Sequence, residues 1–73
     1  MFESAEDIML NISKRFKEIR REKKISQMDL AQTSKVSYGS IKRFELTGEI
    51  SLNSLIKLCL ALNMADELNR LFR

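Results

Sequence analysis

The chain has 73 residues, 44% of them hydrophobic and 32% charged, and its 13 basic and 10 acidic side chains sum to a net charge of +3. A chain of this length has room for one hydrophobic core, which predicts a single domain over residues 1–73. The sequence contains one Cys and no His. This excludes an intramolecular disulfide, a Cys/His zinc site and a His-based catalytic centre, so we expect no enzymatic activity, no metal and no cofactor.

Neither a membrane span nor a secretory signal is evident in the sequence. No apolar run approaches the roughly 20 residues that a helix needs to cross a bilayer. Residues 1–10 contain three acids and no base, unlike the basic start of a secretory signal. We therefore expect a cytoplasmic protein without a membrane partner and, from the length, without a separate ligand-sensing domain.

The absence of Pro and the spacing of apolar residues predict an all-α fold, a compact bundle of about five short helices. The first helix is expected to begin after Ser4, which resembles a capping box with Asp7 three residues on. It ends near residues 23–24, where two lysines suit the negative end of the helix dipole. Its apolar stripe comprises Ile8, Ile12, Phe16 and Ile19.

Two short helices are predicted next, with very little chain between them. Ser26 is placed to cap a helix that ends near Ser34, and Ser37 to cap a third helix over about residues 37–45. Residues 46–50 form a loop in which Gly48 is able to adopt a positive φ. The apolar residues expected to join the two helices to each other and to the core are Met28, Leu30, Ala31, Val36, Ile41 and Phe44.

A fourth helix is predicted from its cap at Ser51 to about Asn63, and a short fifth helix through residues 65–72. The fourth helix carries more apolar positions than a single core-facing stripe needs: Leu52, Leu55, Ile56, Cys59 and Leu62. We expect Cys59 to be a buried small hydrophobic residue rather than a reactive thiol.

Positive charge is concentrated in the middle of the chain. Residues 11–45 have a net charge of +6, whereas residues 1–10 carry −3 and residues 46–73 are neutral overall. Such an excess is the electrostatic footprint of a surface that binds a polyanion, and a solvated basic helix is an equally good interpretation of charge alone.

The segment over residues 26–45 distinguishes these interpretations, because two capped helices separated by a tight turn are typical of a helix-turn-helix. It resembles the Xre/Cro-type family of phage repressors and bacterial regulators through SQ-x-x-LA at 26–31, VS at 36–37, S-I-x-R-x-E at 40–45, and Gly48. The likeness extends over about residues 12–63 and implies a lambda repressor-like DNA-binding domain. Two positions depart from the family pattern: Lys35 replaces the usual turn Gly, and Ser51 replaces a Pro.

The resemblance implies that the third helix enters the major groove of double-stranded DNA. The positions that read bases in the family are Tyr38, Gly39 and Arg43. For Arg43 the alternative is a phosphate contact, for Tyr38 a half-buried prop, and for Gly39 a tolerated weak first turn. Contacts to the DNA backbone are expected from Ser26, Gln27, Lys35, Ser37, Ser40 and Lys42. The family also pairs the positions of Arg20 and Glu45 in a structural salt bridge.

Partners besides DNA are implied less directly. The family binds paired half-sites, so we predict a homodimer whose interface is formed by Ile50, Leu60, Leu68, Leu71 and Phe72; the alternative is that these residues close the small core. The amino-acid sequence of residues 38–63 also resembles that of HipB-like regulators, which are paired with HipA-type toxin kinases. Two compatible functions therefore stand: a small transcriptional regulator, most simply a repressor, and an antitoxin that holds a toxin. A third, a basic amphipathic helix at a membrane, is disfavoured, because the apolar stripe of the first helix would have to insert into lipid and the helix-turn-helix spacing would be a coincidence.

Overall fold

Residues 3–73, which the computed structural model describes, form five α-helices and no strand, so the predicted all-α fold is confirmed. The first three helices are α1 (Ala5–Glu22), α2 (Gln27–Ser34) and α3 (Tyr38–Thr47). They are followed by α4 (Leu52–Ala61) and α5 (Ala65–Asn69). Helix α1 packs against α3, α2 packs against both α3 and α4, and α5 packs against α4.

Four serine caps set where the first four helices begin, as the sequence predicts. The Ser4 hydroxyl accepts the N–H of Asp7 at 3.1 Å, and the Asp7 carboxylate accepts the N–H of Ser4 at 3.3 Å, which completes the capping box. Ser26, Ser37 and Ser51 each accept the N–H three residues further on, at 3.0–3.1 Å. These bonds satisfy amides that a helix start leaves unpaired, so local sequence alone defines the starts of α1 to α4.

The core lies where α2 and α3 meet α1 and α4. The rings of Phe16 and Phe44 pack edge to face with centroids 5.3 Å apart, which joins α1 to α3. Ala31 is partly buried against this cluster. The buried residues of this cluster are Phe16, Leu30, Val36, Ile41, Phe44, Leu58 and Leu62, and Cys59 is buried as well. The residues predicted to join α2 and α3 to the core therefore do so, except Met28, which is 57% exposed.

The buried face of α1 differs from the predicted stripe. Ile8 and Ile12 are 47% and 46% exposed, whereas Ser13 and Arg20 are buried beside Phe16. Spacing of i, i+3 and i+7 places residues 13, 16 and 20 on one face, which is rotated to one side of the Ile8–Ile12 line. Apolar spacing could not predict this face, because it includes a charged residue, Arg20, which is buried only through its ion pair with Glu45.

Three further boundaries or faces differ from expectation. Helix α3 continues to Thr47 instead of ending at Glu45, because Gly48 caps it in the left-handed conformation at φ 84°. Helix α4 ends at Ala61, before the predicted end at Asn63; its buried residues are Leu58 and Cys59, and its surplus apolar residues Leu52 and Ile56 are exposed. Helix α5 ends at Asn69 rather than continuing to Phe72, whose φ is 65° and whose side chain is fully exposed.

Candidate nucleic-acid interface

The turn between α2 and α3 is short and internally bonded. Lys35 adopts the left-handed conformation at φ 65°, and its N–H donates to the carbonyl of Ala31 at 3.1 Å. The Ser34 hydroxyl accepts the N–H of Val36 at 3.1 Å, and the Val36 side chain is buried in the core. Both ends of the turn are thereby anchored, which fixes the direction in which α3 leaves α2. Lys35 occupies a conformation that favours Gly, and its ammonium group remains exposed beside the start of α3.

Helix α3 presents one exposed face opposite its buried residues Ile41 and Phe44. The spacing i, i+1, i+4, i+5 and i+8 places five residues on that face: Tyr38, Gly39, Lys42, Arg43 and Leu46. All five are exposed, and the ammonium group of Lys42 lies 5.2 Å from the centre of the Tyr38 ring. This cation–π contact orders two long side chains without removing either from solvent.

Gly39 leaves the first turn of α3 bare. A Cβ built at this position has no other heavy atom within 4 Å, and the residue has no positive φ that would call for glycine. Nothing inside the protein therefore requires the missing side chain. The backbone of Gly39 is instead open to a close approach from outside.

Of the six residues expected to contact the DNA backbone, Lys42 lies on this face and the others lie at the start of α2, in the turn, or at the start of α3, where not all of their side chains are free. The Ser26 hydroxyl is the cap of α2, and the Ser37 hydroxyl caps α3 and lies 2.8 Å from the Ser40 hydroxyl. Lys42, like Lys35, is exposed. Gln27 is half-buried, and its side-chain amide donates to a Glu45 oxygen at 2.9 Å.

Arg20 and Glu45 form a buried bidentate pair that joins α1 to α3. The Arg20 Nε and Nη2 atoms lie 2.7 and 2.9 Å from the two Glu45 carboxylate oxygens, and the side chains are only 9% and 3% exposed. Nη1 donates to the carbonyl of Ile25 at 2.7 Å, and Gln27 supplies the further bond to Glu45. One network therefore joins α3 to α1, to the chain between α1 and α2, and to the start of α2. Loss of Arg20 or Glu45 would leave the other buried charge uncompensated.

A second network holds Arg43 and includes residues that the sequence did not single out. The guanidinium of Arg43 forms an ion pair with Glu49, and both side chains are largely exposed. The Thr47 hydroxyl donates to the carbonyl of Arg43 at 2.8 Å and accepts the N–H of Glu49 at 3.1 Å. The acidic residue that follows Gly48 was visible in the sequence, but its distance from Arg43 depends on the turn that ends α3.

The residues expected at a dimer interface fall into two places. Leu60, Leu68, Leu71 and Phe72 line one hollow between α4 and α5, together with Leu52 and Ile56, which the dimer prediction omitted. We call these six residues the α4–α5 patch. Ile50 is instead partly buried against the core and lines a different hollow beside Arg43 and Ser51.

Other kinds of site find little support among the described residues. Within residues 3–73, no group of three His, Cys, Asp or Glu side chains is placed to hold a metal ion. None of the helices in that range is long and apolar enough to cross a membrane. Burial, with a smaller contribution from Glu67, raises the pKa of the Cys59 thiol above its usual value.

Comparison with known proteins agrees with this geometry. Residues 15–65 match the family model of the Cro/C1-type HTH DNA-binding domain. Neither the curated proteins nor the solved structures yield a significant match. The family match covers all of α2, α3 and α4, more than half of the chain. The protein therefore belongs to the family of Cro/C1-type helix-turn-helix DNA-binding domains.

Proposed function

We propose that this protein is a transcriptional regulator, acting as a repressor, that binds a specific double-stranded DNA sequence by inserting α3 into the major groove. The observation that carries the proposal is the exposed face of α3, which combines one aromatic ring, one bare backbone position and two cations. No internal contact accounts for the glycine. Groups of this kind are suited to base edges and phosphates rather than to a protein core.

Charge around α3 supports the same orientation. A hollow beside the helix is lined by three cations, Lys17, Lys42 and Arg43, with Gln27, Leu46 and one acid, Glu45, which is paired with Arg20. Lys17 extends the basic surface from α3 onto α1, and Lys35 extends it to the turn. Such clustering attracts the phosphate backbone from solution and makes binding dependent on salt.

Within this orientation the roles of the side chains differ. Arg43 is assigned to guanine, because a guanidinium matches the O6 and N7 acceptors, and Gly39 lets the helix backbone approach the bases. Tyr38 lies at the start of α3, where it is able to contact a thymine methyl group. The residues assigned to the DNA backbone are Ser26, Lys35, Ser37, Ser40 and Lys42, while Gln27 contributes through its main-chain N–H at the start of α2.

We also propose that two copies bind two half-sites as a homodimer through the α4–α5 patch. Exposed fractions of 66% for Leu52, 57% for Leu60 and 53% for Leu71 leave a contiguous apolar surface uncovered. When two protein molecules associate through this patch, apolar area is removed from water and the number of DNA contacts is doubled. The test is sedimentation of Leu60→Glu: a monomeric variant and a dimeric parent support the dimer, and a parent that is monomeric at micromolar concentration contradicts it.

The DNA-binding assignment is tested by two single substitutions measured on a duplex enriched from a random library. Arg43→Ala is expected to relax preference at one base pair per half-site by roughly 5- to 150-fold, the equivalent of about 1–3 kcal/mol. Lys42→Ala is expected to weaken selected and scrambled duplexes alike and to lower the salt slope by about one. Equal losses on both duplexes for Arg43→Ala would contradict its role as a base reader.

The antitoxin role is a second candidate, favoured by the same uncovered α4–α5 patch. A toxin kinase seated on this patch would compete with self-association. A defined complex with the product of a neighbouring kinase-like gene, lost in Leu60→Glu, would support this role, and it is compatible with DNA binding by α3.

A further inference from the structure

We propose that Glu49 is a specificity-determining residue that positions Arg43 and withholds it from phosphates. The inference rests on the proposed function, because it assumes that Arg43 faces DNA. It concerns a residue outside the helix-turn-helix segment, in the chain between α3 and α4. The ion pair between Glu49 and Arg43 is the starting observation.

The backbone of Glu49 is fixed relative to that of Arg43. Thr47 donates from its hydroxyl to the carbonyl of Arg43 at 2.8 Å, and the same oxygen accepts the N–H of Glu49 at 3.1 Å. Gly48, which lies between them, is buried and adopts φ 84°. Its ideal Cβ would lie 2.7 Å from backbone atoms of Met9, so the turn is held against α1. The carboxylate of Glu49 therefore starts from a defined place, unlike that of an acid on a free surface loop.

The contact leaves most of the guanidinium available. Nη2 of Arg43 donates a hydrogen bond to the Glu49 carboxylate, and the Arg43 side chain is still 69% exposed. An Arg side chain has five donors, so enough remain for the two acceptors of a guanine edge. Holding the side chain before binding reduces the rotamer freedom that is lost on contact with a base.

The charge of Glu49 has a second effect. A carboxylate beside Arg43 repels phosphate and offsets the cation that would otherwise bind any DNA. A guanine edge offers directed acceptors without a full negative charge, so its contact is penalised less. The pair is therefore expected to lower affinity for arbitrary DNA more than affinity for the preferred sequence.

The test compares Glu49→Gln with Glu22→Gln. Both remove one negative charge from an exposed side chain, and Glu22 forms no ion pair within residues 3–73. Dissociation constants are measured by fluorescence anisotropy at several salt concentrations. The duplexes are the selected one, the same duplex with the Arg43-dependent base pair exchanged, and a scrambled one. Circular dichroism checks that each variant remains folded.

Glu49→Gln is expected to tighten binding to scrambled DNA, to steepen the salt slope by about one, and to reduce discrimination at the Arg43-dependent base pair by about threefold or more. Glu22→Gln should leave that discrimination unchanged. In an Arg43→Ala background, Glu49→Gln should no longer alter it. If the parent discriminates and Glu49→Gln discriminates equally, this inference alone is overturned. A parent without any preferred duplex overturns the proposed function, and the inference with it.

Discussion

The two glycines lie in opposite environments, so their alanine variants separate folding from DNA binding. At Gly39 an added Cβ meets no heavy atom within 4 Å and the backbone is helical. Alanine therefore removes the conformational cost of glycine without strain. We expect Gly39→Ala to raise the free energy of unfolding by about 0.5–1 kcal/mol, which shifts the melting temperature upward by roughly 2–8 °C in a domain of this size.

At Gly48 the same substitution meets two obstacles. The residue has φ 84°, which costs an L-residue about 1–2 kcal/mol. Its Cβ would also lie 2.7 Å from the backbone C and O atoms of Met9, and forced repacking of this kind costs about 1–3 kcal/mol. The total of roughly 2–5 kcal/mol is a large part of the about 4–11 kcal/mol expected for 73 residues. We expect Gly48→Ala to melt well below the parent.

DNA binding gives the decisive contrast between these variants. If the first turn of α3 lies close to the bases, the methyl group of Gly39→Ala intrudes into the interface, and binding to the selected duplex weakens by about fivefold or more despite the higher melting temperature. Thermal unfolding by circular dichroism and anisotropy titrations on the same preparations measure both quantities. A stabilised Gly39→Ala that binds the selected duplex as tightly as the parent would refute the close approach of α3 to DNA.

Three other predictions concern single residues. Lys35→Gly should raise the free energy of unfolding by about 1 kcal/mol by relieving its left-handed φ of 65°, and should lower the salt slope of DNA binding by about one; an unchanged melting temperature would contradict the strain. Arg20→Met should lower the free energy of unfolding in urea by about 3–5 kcal/mol, since it leaves Glu45 buried without its partner; a loss below about 1 kcal/mol would contradict the burial. Burial raises the pKa of the Cys59 thiol in the folded state above its usual value of 9.0. The contribution of the neutral thiol to stability is therefore complete at pH values below 9.0 and is lost as the pH rises through the raised pKa of the folded state. Unfolding free energies of the parent and Cys59→Ala should therefore converge at alkaline pH, and a constant difference would contradict the shift.

Features written in adjacent residues were predictable from the sequence. A serine hydroxyl caps a helix by accepting the backbone N–H three residues further along the chain, so this signal is local. The starts of α1 to α4 therefore followed from Ser4, Ser26, Ser37 and Ser51. The tight turn at Lys35 was likewise predictable, because only two residues separate the end of α2 at Ser34 from the cap of α3 at Ser37.

Features that depend on distant residues were not predictable in the same way. Apolar spacing on α1 pointed to Ile8 and Ile12, but the face that packs on α3 carries Arg20, whose buried ion pair with Glu45, 25 positions away, was implied by the family resemblance and not by the spacing. The end of α3 was misplaced because the left-handed cap at Gly48 depends on the approach of α1 as well as on the glycine. The pairing of Arg43 with Glu49 follows from that turn, so it too required the structure.

The central claim is that α3 reads a specific DNA sequence, and the ratio of two dissociation constants tests it most directly. Anisotropy titrations of the parent protein on the duplex selected from a random library and on its scrambled counterpart, each at several salt concentrations, measure that ratio. We predict a ratio of about 10³ or more with a steep salt dependence on both duplexes. A ratio near one, or a library that yields no consensus, would contradict sequence-specific recognition by this helix.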